Sequence, residues 1–256
     1  MKTLSIQQKE GYLLVQLDRG KANALNQLMI DEFRQLIKDA TTDSSIGGIV
    51  LTGKPHFFSG GVDLLEIYEY SSEATRHFWG SFIQLSAEMV AFPKPLVSAV
   101  TGHSPAGGCI LACTSDYRVM AKGERYKIGL NEMAVGIAPR QSILKLYESI
   151  IGKRAAYQFL LEGYLLSGEE ALKVGLVDEL ADLEMVTAKA EAKMQHYLKL
   201  PQQAFMQTKK ALKGPLAIDM MQSFETDLDL LHQQLMSDES RAIMGNVVAY
   251  LKSKKS

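Results

Sequence analysis

The chain reads as an α/β protein, because two hydrophobic periods alternate through its first half and only the helical one continues through its second. Short apolar runs of strand length, punctuated by glycine or proline, stand at YLLVQLD (12–18), GGIVLTG (47–53) and PLVSAVTG (95–102), with DYRVMAK (116–122) as a fourth strand. Between them lie stretches with apolar residues at helical spacing, and from about residue 140 onward that spacing dominates. With 256 residues, 46% of them hydrophobic, the chain can bury a substantial core without staples.

Each element has a local reason. NALNQLMIDEFRQLIKDA (23–40) carries Leu25, Met29, Phe33, Leu36 and Ile37 near one helical face, and Asn26 is a residue type that caps a first turn. A second helix is expected over 73–91, with Phe78, Phe82, Leu85 and Met89 on one stripe. After the strand at 95–102 a short helix is expected from about 105, since Pro105 lacks an N–H and suits a first turn. GEEALKVGLVDEL (168–180) predicts a short helix, a stop at Gly175 and an extended piece. After Pro201 two or three amphipathic helices follow, with Phe205, Leu212, Met220, Met221, Phe224, Leu228 and Leu231 forming a surface that covers the rest of the chain or meets another subunit. The expected division is a core over 1–200 and a C-terminal helical region over 201–256, with no low-complexity linker or internal repeat.

Composition excludes several classes of function. Twenty-eight basic and 29 acidic side chains leave a net charge of −1, so no global field favours nucleic acid or an anionic membrane. The KSKKS end is a local exception that reads as solvated. No run approaches the ~18 apolar residues of a membrane span, and MKTLSIQQKEG does not read as a signal peptide. Cytoplasmic placement is therefore expected. Cys109 and Cys113 read as small buried residues in a reducing compartment. No cluster of ligand-type residues suggests a metal or a redox cofactor.

Two glycine pairs and one carboxylate stand out. HFFSGGVDL (56–64) and GHSPAGGC (102–109) each sit at a strand-to-helix junction. Glycine pairs serve ordinary turns, but two such junctions can also expose backbone N–H groups to a developing oxyanion, aided by a helix dipole. Downstream, Glu132 in YKIGLNEMAVGIAP (126–139) lies among Ile128, Leu130, Met133, Val135 and Ile137. Apolar surroundings raise a carboxyl pKa toward neutrality, where it can exchange protons. The plain alternative is a turn residue, or a carboxylate paired with Arg140 or Lys127. Other acids have plainer readings: Asp63 as the cap of the next helix, Glu66 and Glu69 on a solvated face, Asp116 bonded to backbone. His56 and His103 flank the loops without being candidates for the main base. Phe78, Trp79, Phe82 and the residues near Leu144 either shape a pocket or are core.

Taken in order, KANALN, HFFSGGVDL, GHSPAGGC, SDYRVMA, YKIGLNEMAVGIAP and GEEALKVGLVDEL resemble the motifs of the crotonase superfamily across residues 10 to 180. SPAGGC, SDYR and IGLNE are most similar to the mitochondrial-type Δ3,Δ2-enoyl-CoA isomerases. The resemblance implies a spiral of ββα units with C-terminal helices used in trimerisation, trimers sometimes pairing into hexamers, and acyl-coenzyme A thioesters as substrates in fatty acid oxidation. It implies a substrate loop of Gly60, Gly61, Val62, Asp63 and Leu64. Val62 and Gly107 would donate backbone N–H groups to the thioester oxygen, and Asn131 and Glu132 would form the acyl-site pair with Glu132 catalytic. Gly108 would pack closely at the helix start, and Lys21 lies near the segment that meets coenzyme A. Coenzyme A is then part of the substrate, and no further cofactor is implied.

Hydratases of the superfamily usually carry a second glutamate where this chain has Ile110. Adding water across a double bond benefits from two carboxylates, whereas moving a double bond needs one. The expected activity is thus a 3-enoyl to 2-trans isomerisation. The alternatives are an enoyl-CoA hydratase or another acyl-CoA lyase of the superfamily, and a noncatalytic acyl-CoA binding protein on the same fold.

Overall fold

The computed structural model describes residues 1–254; Lys255 and Ser256 of the KSKKS end lie outside the described residues. Nine strands and ten helices are described. The strands are β1 (Leu4–Lys9), β2 (Tyr12–Leu17), β3 (Ile49–Thr52), β4 (His56–Phe57), β5 (Leu96–Val100), β6 (Gly102–Pro105), β7 (Tyr117–Ala121), β8 (Ile128–Gly129) and β9 (Glu179–Ala181). The helices are α1 (Gln27–Thr42), α2 (Leu64–Ile67), α3 (Ser72–Ala91), α4 (Gly107–Thr114), α5 (Gln141–Glu162), α6 (Gly168–Lys173), α7 (Val186–Leu198), α8 (Gln202–Gln222), α9 (Phe224–Leu235) and α10 (Asp238–Ser253).

The main sheet has the order β1-β2-β3-β5-β7-β9, antiparallel between β1 and β2 and parallel thereafter. Its parallel strands are covered, and β3 and β5 are buried along their whole length, as their unbroken apolar runs require. Asn26 does cap α1, its side chain accepting from the Met29 N–H. Gly175 takes φ +78 after α6, ending that helix as expected.

A second, three-stranded parallel sheet, β4-β6-β8, decides where the chemistry falls. His56 pairs with Gly102 and Phe57 with His103, while Ser104 pairs with Ile128 and Pro105 with Gly129. Three parallel strands end on one edge, so the segments leaving them emerge side by side. Those segments are the 58–63 loop, the start of α4, and the 3-10 turn at Glu132–Val135.

The helix after β6 begins at Gly107 rather than near 105. Pro105 is the last paired residue of β6, and Ala106 makes the turn with φ +47, ψ −119 while its N–H donates to the Gly129 carbonyl. Such a backbone is rare for a residue with a Cβ and costs on the order of 1–3 kcal/mol.

The C-terminal helices dock through buried charge. Lys209 of α8 reaches the Asp116 carboxylate at 2.6 Å and Lys213 reaches it at 3.0 Å, while Asp116 also accepts from the Leu96 N–H. Burial pulls the Asp116 pKa up, but the two ammoniums outweigh it and hold the group below its usual range. Burial lowers Lys209 to about 8 against the opposing pull of Asp116. Cys109 and Cys113 are both free and buried, with sulfurs 3.9 Å apart. No helix among the described residues is long and apolar enough to cross a membrane.

Candidate active site

The loop after β4 and the start of α4 touch. A Cβ on Gly107 would stand 3.4 Å from the Val62 nitrogen, and one on Gly61 would stand 3.5 Å from the Gly107 nitrogen. Among the described residues neither the Val62 N–H nor the Gly107 N–H has an acceptor in the protein. Two free amide donors thus lie close together, and Gly107 is the first residue of an eight-residue helix whose dipole favours negative charge there. Gly61 takes φ +85, a conformation that favours glycine, and Gly108 is fixed by packing, since a Cβ there would meet the Ser59 carbonyl at 2.6 Å.

The loop is pinned from the other side by the segment after β2. Gly60 N–H donates to the Ala22 carbonyl, Leu25 N–H to the Gly61 carbonyl, and Asp63 N–H to the Leu25 carbonyl. Ser59 Oγ donates to the Asn23 carbonyl and accepts from the Gly61 N–H.

Behind the two donors lies a cavity of about 240 Å³. Gly60, Val62 and Gly107 line it, and Trp79, Phe82, Ile110 and Ile137 supply apolar walls. Val247 of α10 supplies another part of the lining. Leu64 and Asn131 also line it, whereas Gly61 and Asp63 do not. Asp63 instead caps α2, accepting from the Leu65 and Glu66 N–H groups.

Glu132 is the single ionisable side chain in that lining among the described residues. It is 8% exposed, and its Oε2 has no partner in the protein. Burial raises its pKa from 4.5 to about 7, opposed only by its own backbone N–H. The pairing with Arg140 considered above is not made, since that guanidinium donates to the Gln234 side chain and the Leu230 carbonyl. A carboxyl poised near neutrality in an apolar chamber can accept or return a proton at pH 7. Ile110, 4% exposed, lines the same chamber and offers no second acid.

Other expectations fall outside the chamber. Phe78 is fully buried core, and Leu144 does not reach the lining. His56 and His103 stand at the far end of the small sheet, His56 Nδ1 lying 2.6 Å from the Tyr126 hydroxyl. Burial, followed by Arg125 and His56, keeps the His103 pKa low. Glu66, expected on a solvated face, is half-buried and bonded to Arg19, Asn26 and Tyr70. Lys21 is exposed and outside the lining. Val247 could not be anticipated, because nothing in an amphipathic helix says which core its apolar stripe will meet.

A parallel-strand fold presenting paired amide donors and a buried carboxyl to one apolar chamber defines a class, and the family model described as enoyl-CoA hydratase/isomerase matches residues 7–256. The chain belongs to that family. It is similar to the mouse protein named enoyl-CoA delta isomerase 1, mitochondrial, with 34% identity over 96% of this chain and 85% of that protein. It is also similar to 2,3-dehydroadipyl-CoA hydratase of Escherichia coli K12, 34% identical over 70% of this chain and 69% of that one. Among solved structures, human mitochondrial Δ3-Δ2-enoyl-CoA isomerase superposes with a TM-score of 0.94 at 28% identity, covering 99% of this chain and 100% of that chain. The fold is accordingly the crotonase fold expected from the motifs. The names of the mouse and human proteins place those relatives in mitochondria and lend no support to the cytoplasmic placement expected above.

Proposed function

We propose that the chain is an enoyl-CoA isomerase of fatty acid oxidation, converting 3-enoyl-CoA to 2-trans-enoyl-CoA with one carboxylate and no cofactor beyond the coenzyme A of its substrate. The observation that carries this reading is the chamber lining, in which Glu132 is the sole ionisable group among the described residues and Ile110 is an apolar part of the wall. The Glu132 carboxylate takes a proton from C2 of the 3-enoyl thioester. The C2–H electrons form a dienolate whose charge rests on the thioester oxygen, between the Val62 and Gly107 N–H groups. The protonated Glu132 then returns the proton at C4, the C3–C4 π electrons take it up, and the oxygen's electrons flow back to leave a C2–C3 double bond. Each such amide donor contributes about 3–4 kcal/mol to lowering a comparable barrier.

The test is a coupled assay with 3-cis- and 3-trans-enoyl-CoA, run beside formation of 3-hydroxyacyl-CoA from 2-trans-enoyl-CoA. Isomerisation without appreciable hydration supports the reading, and rapid hydration overturns it. Hydratase activity is the second reading, favoured by the E. coli hydratase among the relatives. Self-association into trimers or hexamers accompanies the proposal. Exposed Leu212 and Ile218, 75% and 72% accessible on α8, are apolar surface that such association would cover.

A further inference from the structure

We propose that Arg19 is the positioning residue of the oxyanion hole, holding the Val62 N–H at the thioester oxygen without touching substrate. The inference rests on the reading of Val62 as a donor. Val62 sits in a bridge to Leu25, and its flanking residues are the ones bonded: the Gly61 carbonyl accepts from Leu25 and the Asp63 N–H donates to Leu25. The direction of the Val62 N–H therefore depends on the distance and tilt between the 22–26 segment and the 60–63 loop.

Ser59 and Asn23 tie the start of the loop to that segment, and Arg19 ties its far end. Arg19 Nη1 donates to the Ala24 carbonyl at 2.9 Å and to Asp63 Oδ2 at 2.6 Å, while Nη2 donates to Glu66 Oε2 at 2.8 Å. Asp63 uses its other oxygen to cap α2, so the guanidinium fixes the end of the Val62 loop and the start of the helix that follows. Glu66 in turn accepts from Asn26, the cap of α1, and from the Tyr70 hydroxyl. The planar fork thus ties three elements around one amide, a task that a lysine's single ammonium cannot reproduce. Arg19 is three-quarters buried and does not line the acyl chamber.

The test uses Arg19→Met, Arg19→Lys and Glu66→Gln in the full chain, with butyryl-CoA carrying a ¹³C-labelled thioester carbonyl as the probe. In the wild type the infrared band of the bound carbonyl is expected to shift to lower frequency, because the two proposed donors polarise it. Arg19→Met is expected to lose at least half of that shift and to lower kcat about 30-fold with KM changed less than about threefold, since misdirecting a donor costs less than deleting it. Arg19→Lys and Glu66→Gln should each fall between Arg19→Met and wild type. A wild-type band shift in folded Arg19→Met overturns the proposal. If Arg19→Met does not fold, unchanged band shifts in both Arg19→Lys and Glu66→Gln do so instead. A wild type that polarises the carbonyl but does not isomerise 3-enoyl-CoA refutes the proposed activity while leaving the Arg19 test in force.

Discussion

Replacing Glu132 by Gln removes the one ionisable group that lines the chamber among the described residues while keeping its shape, and two measurable consequences follow from that one change. The first concerns stability. Burial moves this carboxyl from 4.5 to about 7, so between those values the folded chain keeps a proton that the unfolded chain has released. Stability then falls as pH rises through that window, and the cost above pH 7 is about 3 kcal/mol. Glutamine is neutral throughout and escapes that cost. Urea denaturation should find Glu132→Gln close to wild type at pH 4.5 and more stable by about 2–3 kcal/mol at pH 8. The second consequence concerns rate. Wild-type kcat/KM for 3-enoyl-CoA should rise about tenfold per pH unit below 7 and level off above it, whereas the variant should lose about 10³-fold or more of its turnover at every pH. A variant that retains near-full rate, or whose stability follows that of wild type from pH 4.5 to 8, refutes the assignment of a buried, proton-exchanging carboxyl.

Three further predictions follow from the same geometry. Ile110→Glu puts a second carboxylate in the chamber, which raises the pKa of both acids; hydration of 2-trans-enoyl-CoA should increase about tenfold or more while isomerisation at pH 7 declines, read by the paired assay. Gly108→Ala drives a methyl group against the Ser59 carbonyl and Ser104 Oγ, and should destabilise the fold by about 1–3 kcal/mol in urea titration and lower kcat through the displaced loop. Lys209→Met leaves buried Asp116 with Lys213 alone, so thermal and urea melts should show a loss of about 3 kcal/mol while kcat stays within about twofold.

The elements legible in the sequence are those whose residues settle their own geometry. Asn26 before an amphipathic run fixed the start of α1, and Gly175 marked the end of α6, because capping depends on a few neighbouring atoms. Glu132 was recognisable by its apolar sequence neighbours, of which Val135 and Ile137 line the chamber while Met133 is exposed; other chamber walls come from Trp79, Phe82, Ile110 and Val247, distant in sequence. The strands β4, β6 and β8 were not legible. They run two to four residues, too short for any period, and exist because each pairs with a partner distant in sequence. The edge strand β1 escaped for a related reason: only Leu4 of LSIQQK is buried, so little apolar pattern marks it. Nothing in the sequence singles out Arg19, since its partners Asp63 and Glu66 are brought to it only by the folded chain.

Val247 lies on α10, far along the chain from the other residues that line the chamber. A polypeptide still emerging from the ribosome carries Glu132, Val62 and Gly107, the proposed proton acceptor and amide donors, well before it possesses the wall that α10 contributes. Until that helix docks, bulk water reaches the space meant for the acyl tail, and a reactive enolate formed there would be unprotected. In the proposed reaction, the chamber is closed by a helix remote in sequence from the groups that do the chemistry. Deletions that reach α10 therefore bear on the proposed catalysis.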